Sequence, residues 1–327
     1  MAKFKIGLVG LGVMGRNHLR TLQAMEQVEI VGVSDKRKIE EEKIDYYENF
    51  SDLVLQKPDG IIIATPTSSH KEIALDCLNN NIPVLIEKPV AATVEEGRAL
   101  LEVEIKKNKS VSAHVGYIER FNPAVECLKK EISKAKIVKI MMTRVGPYPA
   151  RIADVGILCD LSVHDIDLLR YLCNDELESY AIYDAKTKHT YEDSAFINGK
   201  TSKGTIVSIS TSWLSPKRKR QLEIYTKDFF YKVDLFKKRV WKQSLDNQSQ
   251  EVISEELVVE SKQALESQMK EWLKFLETKK PCRLATISDS LKTLEIIKKS
   301  FSHEGLKNYY LARKKKDLSS EAENYFS

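Results

Sequence analysis

No apolar stretch in the 327-residue chain approaches the ~18 residues that a bilayer span requires. The opening MAKFKIGLVG runs straight into a strand-like pattern. The sequence therefore predicts neither a membrane helix nor a signal peptide, and the expected location is the cytoplasm. Cysteine is sparse: Cys77, Cys127, Cys159, Cys173 and Cys282 are scattered, with no CxxC pair and no metal spacing with histidine. That pattern argues against a disulfide framework or a metal centre and predicts reduced, mostly buried thiols. A charge excess of one sign is also lacking. The net charge is +5, with the basic residues interleaved among 47 acidic ones, which favours a small anionic ligand and predicts neither nucleic acid nor membrane as a partner. The basic clusters Lys217, Arg218, Lys219, Arg220 and Lys314, Lys315, Lys316 read as a solvated turn and a loose tail rather than a polyanion site. No internal repeat is present.

What the chain does have is 42% hydrophobic and 30% charged residues, the profile of a globular protein large enough for two domains. Short apolar runs at 4–9, 28–33, 60–65, 82–86 and 111–116 alternate with segments long enough for helices. Such alternation predicts an α/β fold with a doubly wound parallel sheet. Ser69 with Glu72, and Thr93 with Glu96, have the spacing of capping boxes and predict helix starts. Beyond about residue 118 the runs 136–145, 202–213, 220–226 and 255–260 are separated by turns, which predicts a mostly antiparallel sheet. Helical patterns follow at about 261–279 and 286–302. The expected division is residues 1–118, an α+β domain over 119–313, and a flexible tail over 314–327.

The segment GLVGLGVMGRNH places Gly10, Gly12 and Gly15, with Val13 and Met14 between them, after the first expected strand and at the start of a helix. In GxGxxG the first glycine makes a tight turn, the second admits a pyrophosphate and the third lets helix and strand pack closely. Asp35, twenty residues beyond Gly15, is placed to bind a ribose 2′-hydroxyl. Its carboxylate favours NAD, whereas Lys36 and Arg37 could clamp a 2′-phosphate and leave NADP open. Thr65, Pro66 and His70 lie at the end of the third strand and could edge the nicotinamide ribose; His70 equally suits a solvated position after a Ser69 cap. In IEKPVA, Lys88 at the end of an apolar run is either a solvated strand end or an ammonium aimed into the same crevice, with Pro89 fixing the backbone.

A second constellation lies in VGILCDLSVHDIDLLRYL, where the spacing of Leu161, Leu168, Leu169 and Leu172 predicts a helix. Asp160 and His164, four apart, would share one face as a carboxylate–imidazole pair, with His164 accepting a hydroxyl proton near its ordinary pKa of ~6.5. A structural hydrogen bond fits that pair equally well. Asp165 and Asp167 read as solvated or helix N-terminal charges.

In order and spacing, Gly10-x-Gly12-x-x-Gly15, Glu87-Lys88-Pro89 and Asp160-x-x-x-His164 resemble the Gfo/Idh/MocA oxidoreductases, the glucose–fructose oxidoreductase and inositol dehydrogenase family. The resemblance reaches to about residue 303. It implies a Rossmann domain followed by an open-sheet α+β domain, nicotinamide and substrate meeting between them, and Lys88, Asp160 and His164 in the catalytic positions, with Glu87 beside the cofactor. GYIERFNPAV and RVGPYPARIADVGILCDLSVHDID look most like the UDP-N-acetylglucosamine 3-dehydrogenase branch. The glycine-rich segment usual in inositol-type members is reduced here to Val155-Gly156-Ile157-Leu158. The expected reaction is hydride transfer from a sugar secondary alcohol, with an inositol or free sugar as the alternative substrate and a non-catalytic sensor as the alternative class. On that reading Arg120, Arg144 and Arg151 would take a diphosphate, Tyr117 would stack on uracil, and Asn122 would line the substrate site. Surface ion pairing accounts for these arginines equally well, and an Asn122-Pro123 helix cap accounts for Asn122. A homo-oligomer, dimer or tetramer, is expected.

Overall fold

The computed structural model describes residues 3–36, 44–107, 112–149, 155–187, 190–246 and 248–298. Arg37, Arg151 and the expected tail over 314–327 lie outside the described residues. The first unit runs β1 (Phe4–Val9), α1 (Val13–Gln23), β2 (Val28–Ser34), β3 (Tyr46–Tyr47), α2 (Phe50–Leu55), β4 (Gly60–Ile63), α3 (His70–Asn79), β5 (Val84–Glu87), α4 (Val94–Lys106) and β6 (Ala113–Gly116). Its strands pair in parallel in the order β6-β5-β4-β1-β2-β3. The central strand β4 is buried on both faces, which explains why its GIII reads as an unbroken apolar run rather than an alternation. Thr93 caps α4 as expected: its Oγ1 accepts from Glu96 N at 3.0 Å while Glu96 Oε2 accepts from Ala92 N at 3.0 Å. Ser69 does not cap α3. A 3₁₀ turn precedes that helix, and Ser69 Oγ instead donates to Thr65 Oγ1 and Pro66 O, each 2.9 Å away.

The second unit contains α5 (Pro123–Glu131), β7 (Ile137–Pro147), α6 (Val163–Cys173), β8 (Leu177–Ala185), β9 (Ser194–Thr201), β10 (Ile206–Ser212), β11 (Leu214–Thr226), β12 (Phe230–Asp234), β13 (Arg239–Leu245) and β14 (Val252–Leu257). Its eight strands lie in the order β14-β13-β12-β11-β7-β10-β9-β8, antiparallel except for the β7–β10 pair. One face buries Ile140, Met142, Ile197, Val207, Ile209, Leu222 and Ile224 beneath α5 and α6; the other is half-exposed. The chain then returns to the first sheet through α7 (Ala264–Thr278), β15 (Ala285–Thr286) and α8 (Ile287–Lys298). β15 pairs antiparallel with β6. Trp272, Met269 and Leu273 of α7 pack with Leu19 and Leu22 of α1 on one face of that sheet, and α8 packs on α4 on the other. The first sheet takes its strands from 4–116 and 285–286 and the second from 137–257; the late position of the closing segment in the sequence conceals its place in the first layer. A core shared by β4, β5, α6 and β7 joins the units.

Candidate active site

In a doubly wound sheet, ligands sit beyond the carboxyl ends of the strands, where the strand order reverses. Three connections meet there: the glycine loop after β1, Thr65–Pro66 after β4, and Lys88 after β5. Each glycine has a separate requirement. Gly10 has φ +92°, and a Cβ there would sit 2.7 Å from the Ala64 and Thr65 backbone. At Gly15 a Cβ would lie 1.9 Å from Gly10 O, so only glycine lets α1 pack this close. At Gly12 a Cβ would meet nothing within 4 Å, and no side chain caps α1. Open space before uncapped N–H groups suits a pyrophosphate. Val13 is exposed and Met14 half-buried beside it. Asp35 Oδ2 accepts from Leu11 N at 2.6 Å, fixing the carboxylate against the glycine loop, while Lys36 is exposed. These residues fit NAD.

Other expected cofactor contacts are used differently. His70 is buried, not solvated, and its two ring nitrogens lie 2.9 Å from the carbonyls of Pro89 and Thr65. The ring ties the β4 and β5 connections together. Glu87 is held by His18 of α1, whose Nε2 lies 2.7 Å from Glu87 Oε1. His18 was not singled out from the sequence, because nothing in its spacing separates it from the apolar face of α1.

Lys88 reaches across to the second unit. Through a cis Lys88–Pro89 peptide the chain presents Nζ to Asp160, donating to its backbone oxygen at 2.8 Å and to Oδ1 at 2.9 Å. An ammonium has three N–H donors. Asp160 takes two and leaves the third for a substrate oxygen.

Asp160 lies in a π-helical turn, Leu158–Ser162, that precedes α6. His164 follows on the next element, in the first turn of α6. Asp160 Oδ1 serves Lys88, and His164 Nδ1 is buried without a hydrogen-bond partner. Burial, then the charges of Lys88, Arg144 and Arg220, hold the His164 imidazole well below its ordinary value. A near-ordinary pKa was the sequence expectation; the structure gives a neutral ring across the physiological range. Glu192 braces the turn. Its Oε1 accepts from Leu158 N at 3.2 Å, its backbone oxygen accepts from Ile157 N at 3.0 Å, and burial pushes its carboxyl up to about 7.

The expected substrate contacts are largely overturned. Tyr117 is 1% exposed, with its hydroxyl 3.0 Å from Ser290 Oγ, so it cannot stack on a base. Asn122 caps α5 through Ala124 N at 3.1 Å, and its amide donates to Glu119 and to the Leu235 carbonyl, each at 3.0 Å. Arg120 is buried against Asp167 by two bonds of 2.6 and 2.8 Å. Arg144 is buried against Asp165 and Glu119, at 2.8 Å from each. Neither Asp165 nor Asp167 is solvated; Asp165 does stand in the first turn of α6, as the sequence suggests, but it is paired with Arg144 there. The α6 helix that carries them is enclosed, and a buried carboxylate requires a counter-ion.

Two family descriptions match in succession: "Oxidoreductase family, NAD-binding Rossmann fold" over residues 4–117 and "GFO/IDH/MocA C-terminal domain" over 130–228. The chain belongs to the GFO/IDH/MocA oxidoreductase family. Its first unit is the NAD-binding Rossmann domain of that family. The chain is 30% identical to the rhizopine catabolism protein MocA of Rhizobium meliloti over 57% of its own length and 62% of that protein's, less than two thirds of the relative. It is 25% identical to a UDP-N-acetylglucosamine 3-dehydrogenase of Acidithiobacillus ferrooxidans over 72% of this chain and 75% of the other. Among solved structures, the UDP-N-acetylglucosamine 3-dehydrogenase GnnA of Acidithiobacillus ferrooxidans superposes with a TM-score of 0.82 at 22% identity, covering 90% of this chain and 96% of that one. At that identity the superposition speaks for the fold.

Proposed function

We propose that this GFO/IDH/MocA protein oxidises a secondary alcohol of a sugar, and that the sugar is nucleotide-linked, with UDP-N-acetylglucosamine oxidised at C3. The observation that carries the reaction is the reach of Lys88 from the cofactor rim to Asp160. NAD, when bound, would supply the acceptor for a hydride from the carbinol carbon. Lys88 donates its remaining N–H to the alcohol oxygen and stabilises negative charge as it develops there. Asp160 holds the ammonium in that direction. His164, neutral and half-buried, takes the hydroxyl proton on a ring nitrogen. Gly10, Gly12, Gly15 and Asp35 hold the cofactor, and Thr65 and Pro66 edge it.

The UDP assignment is supported by the sequence of the 116–125 and 144–167 segments and by the 25%-identical relative. A second reading, a neutral inositol or free sugar, is favoured by one observation: Tyr117, Arg120 and Arg144 are all engaged within the chain. Cytoplasmic location and self-association through the half-exposed face of the second sheet complete the proposal. Turnover of UDP-sugars, inositols and free sugars with NAD and with NADP tests it. Reduction of NAD by UDP-N-acetylglucosamine is expected; efficient oxidation of inositol with no response to UDP-sugars would replace the substrate and leave the dehydrogenase reading.

A further inference from the structure

Arg220 differs from the other arginines beside the site. Arg120 and Arg144 are enclosed, whereas the Arg220 side chain is 42% exposed. Among the described residues its side chain donates from Nη1 to Glu119 Oε1 at 3.3 Å, and that oxygen already receives Arg144 Nη1 at 2.8 Å. One carboxylate oxygen therefore serves two guanidinium groups, and Arg144 takes the shorter bond. Asp165, the other carboxylate nearby, spends both oxygens on Arg144 at 2.8–3.0 Å.

The placement follows from register. Arg220 of β11 pairs directly with Arg144 of β7, on the sheet face that α6 covers. Arg144 binds Asp165, the residue after His164, so Arg220 is linked to the first turn of α6 through Glu119 and Arg144. Arg218, two residues earlier in β11, lies on the same face. Gly146 of β7 leaves room for its stem, since a Cβ there would come within 3.2 Å of Arg218 Cγ. Burial and the charge of Arg144 depress the Arg220 guanidinium, and its own charge in turn depresses His164. The exposed end of this face thus carries positive charge that carboxylates among the described residues meet only in part.

We propose that Arg220, with Arg218 beside it, receives an oxyanion of the substrate, a carboxylate or a phosphate, and so selects charged sugars over neutral ones. The inference rests on the dehydrogenase reading above and names the substrate class that the buried arginines no longer explain. A guanidinium takes a carboxylate or phosphate through paired N–H donors. A hydrogen bond to a charged group contributes about 1.5–3 kcal/mol, so losing it weakens binding roughly 10- to 100-fold.

The test uses the full chain with saturating NAD and the variants Arg220→Gln and Arg220→Lys. Substrates are UDP-N-acetylglucosamine, its 6-carboxylate analogue and free N-acetylglucosamine; UDP and glucuronate are titrated calorimetrically. In Arg220→Gln, the KM for the charged sugars should rise at least tenfold, with kcat changing less than about threefold. The ratio of kcat/KM for charged over neutral sugar should fall at least tenfold, and Lys should restore part of it. Loss of UDP affinity identifies a phosphate; loss of glucuronate affinity identifies a carboxylate. Equal losses on charged and neutral sugars, or unchanged affinity for both titrated anions, would overturn the inference. If no sugar reduces NAD, the dehydrogenase reading fails, while the titrations still decide Arg220: a tenfold loss in the variant supports the oxyanion site, and no measurable binding to the wild type refutes it.

Discussion

Arg120 and Asp167 show why residue type alone misleads about role. A guanidinium in a suspected sugar-nucleotide enzyme invites a diphosphate, yet this one is 6% exposed and gripped by two bonds to a carboxylate that is 1% exposed. Removing one partner of a buried pair leaves the other uncompensated, typically at a cost of about 3–5 kcal/mol. Asp167→Asn and Arg120→Ala should therefore lower the unfolding free energy by that order, seen as a lower denaturant midpoint, whereas a ligand contact would raise KM and leave stability nearly unchanged. His114 gives a pH-dependent counterpart. It is 6% exposed, and burial lowers its imidazole to about 4. The unfolded chain takes up this proton below ~6.5 and the folded chain does not, so stability falls as pH drops through that window. Between pH 7 and 4 the loss from this group should approach roughly 3 kcal/mol, and His114→Gln should flatten the decline in urea titrations. Neither residue announces its burial in the sequence, because the partners stand 47 positions away for Arg120 and, for the Phe275 ring against His114, far along the chain in α7.

The glycine loop was legible because its chemistry is local: a strand, three glycines and a helix start sit in consecutive residues. Its prediction is equally local. Gly12→Val fills space that no chain atom occupies, so stability should hold while NAD affinity falls at least ~10-fold; Gly15→Val drives a Cβ into Gly10 O and should cost folding itself, by about 1–3 kcal/mol or more. Thermal unfolding and NAD titration on the same two variants separate these outcomes. At the end of β2, Asp35→Ser should shift cofactor preference towards NADP, since a carboxylate next to the loop repels a 2′-phosphate; unaltered preference in competing NAD and NADP assays would remove Asp35 from that role. The π-helical turn was not legible. Its apolar spacing matches an ordinary helix, and only the close approach of Gly156 to Glu192, from a strand connection 36 residues on, marks the departure.

At the scale of the whole molecule, the site exists because two sheets meet. Lys88 and Asp160 are 72 residues apart and bond at 2.9 Å. The sequence carries each half, a strand-end lysine and a helix-start aspartate, and the resemblance to the oxidoreductase family links them. Composition and periodicity reveal the parallel and antiparallel layers, but not that α7, β15 and α8 return to complete the first, because a helix pattern does not state which sheet it covers. Nor do they show that Arg220 stands opposite Arg144 and shares Glu119 with it, since that depends on the β7–β11 register. In the proposed mechanism the Lys88 ammonium, aimed by Asp160, stabilises the developing alkoxide. Lys88→Met keeps the stem and removes the charge. Measured by NAD titration and single-turnover NADH formation with UDP-N-acetylglucosamine, the variant should bind NAD within about twofold of wild type and turn over ~10²-fold more slowly or worse. Wild-type turnover in that variant would contradict the account.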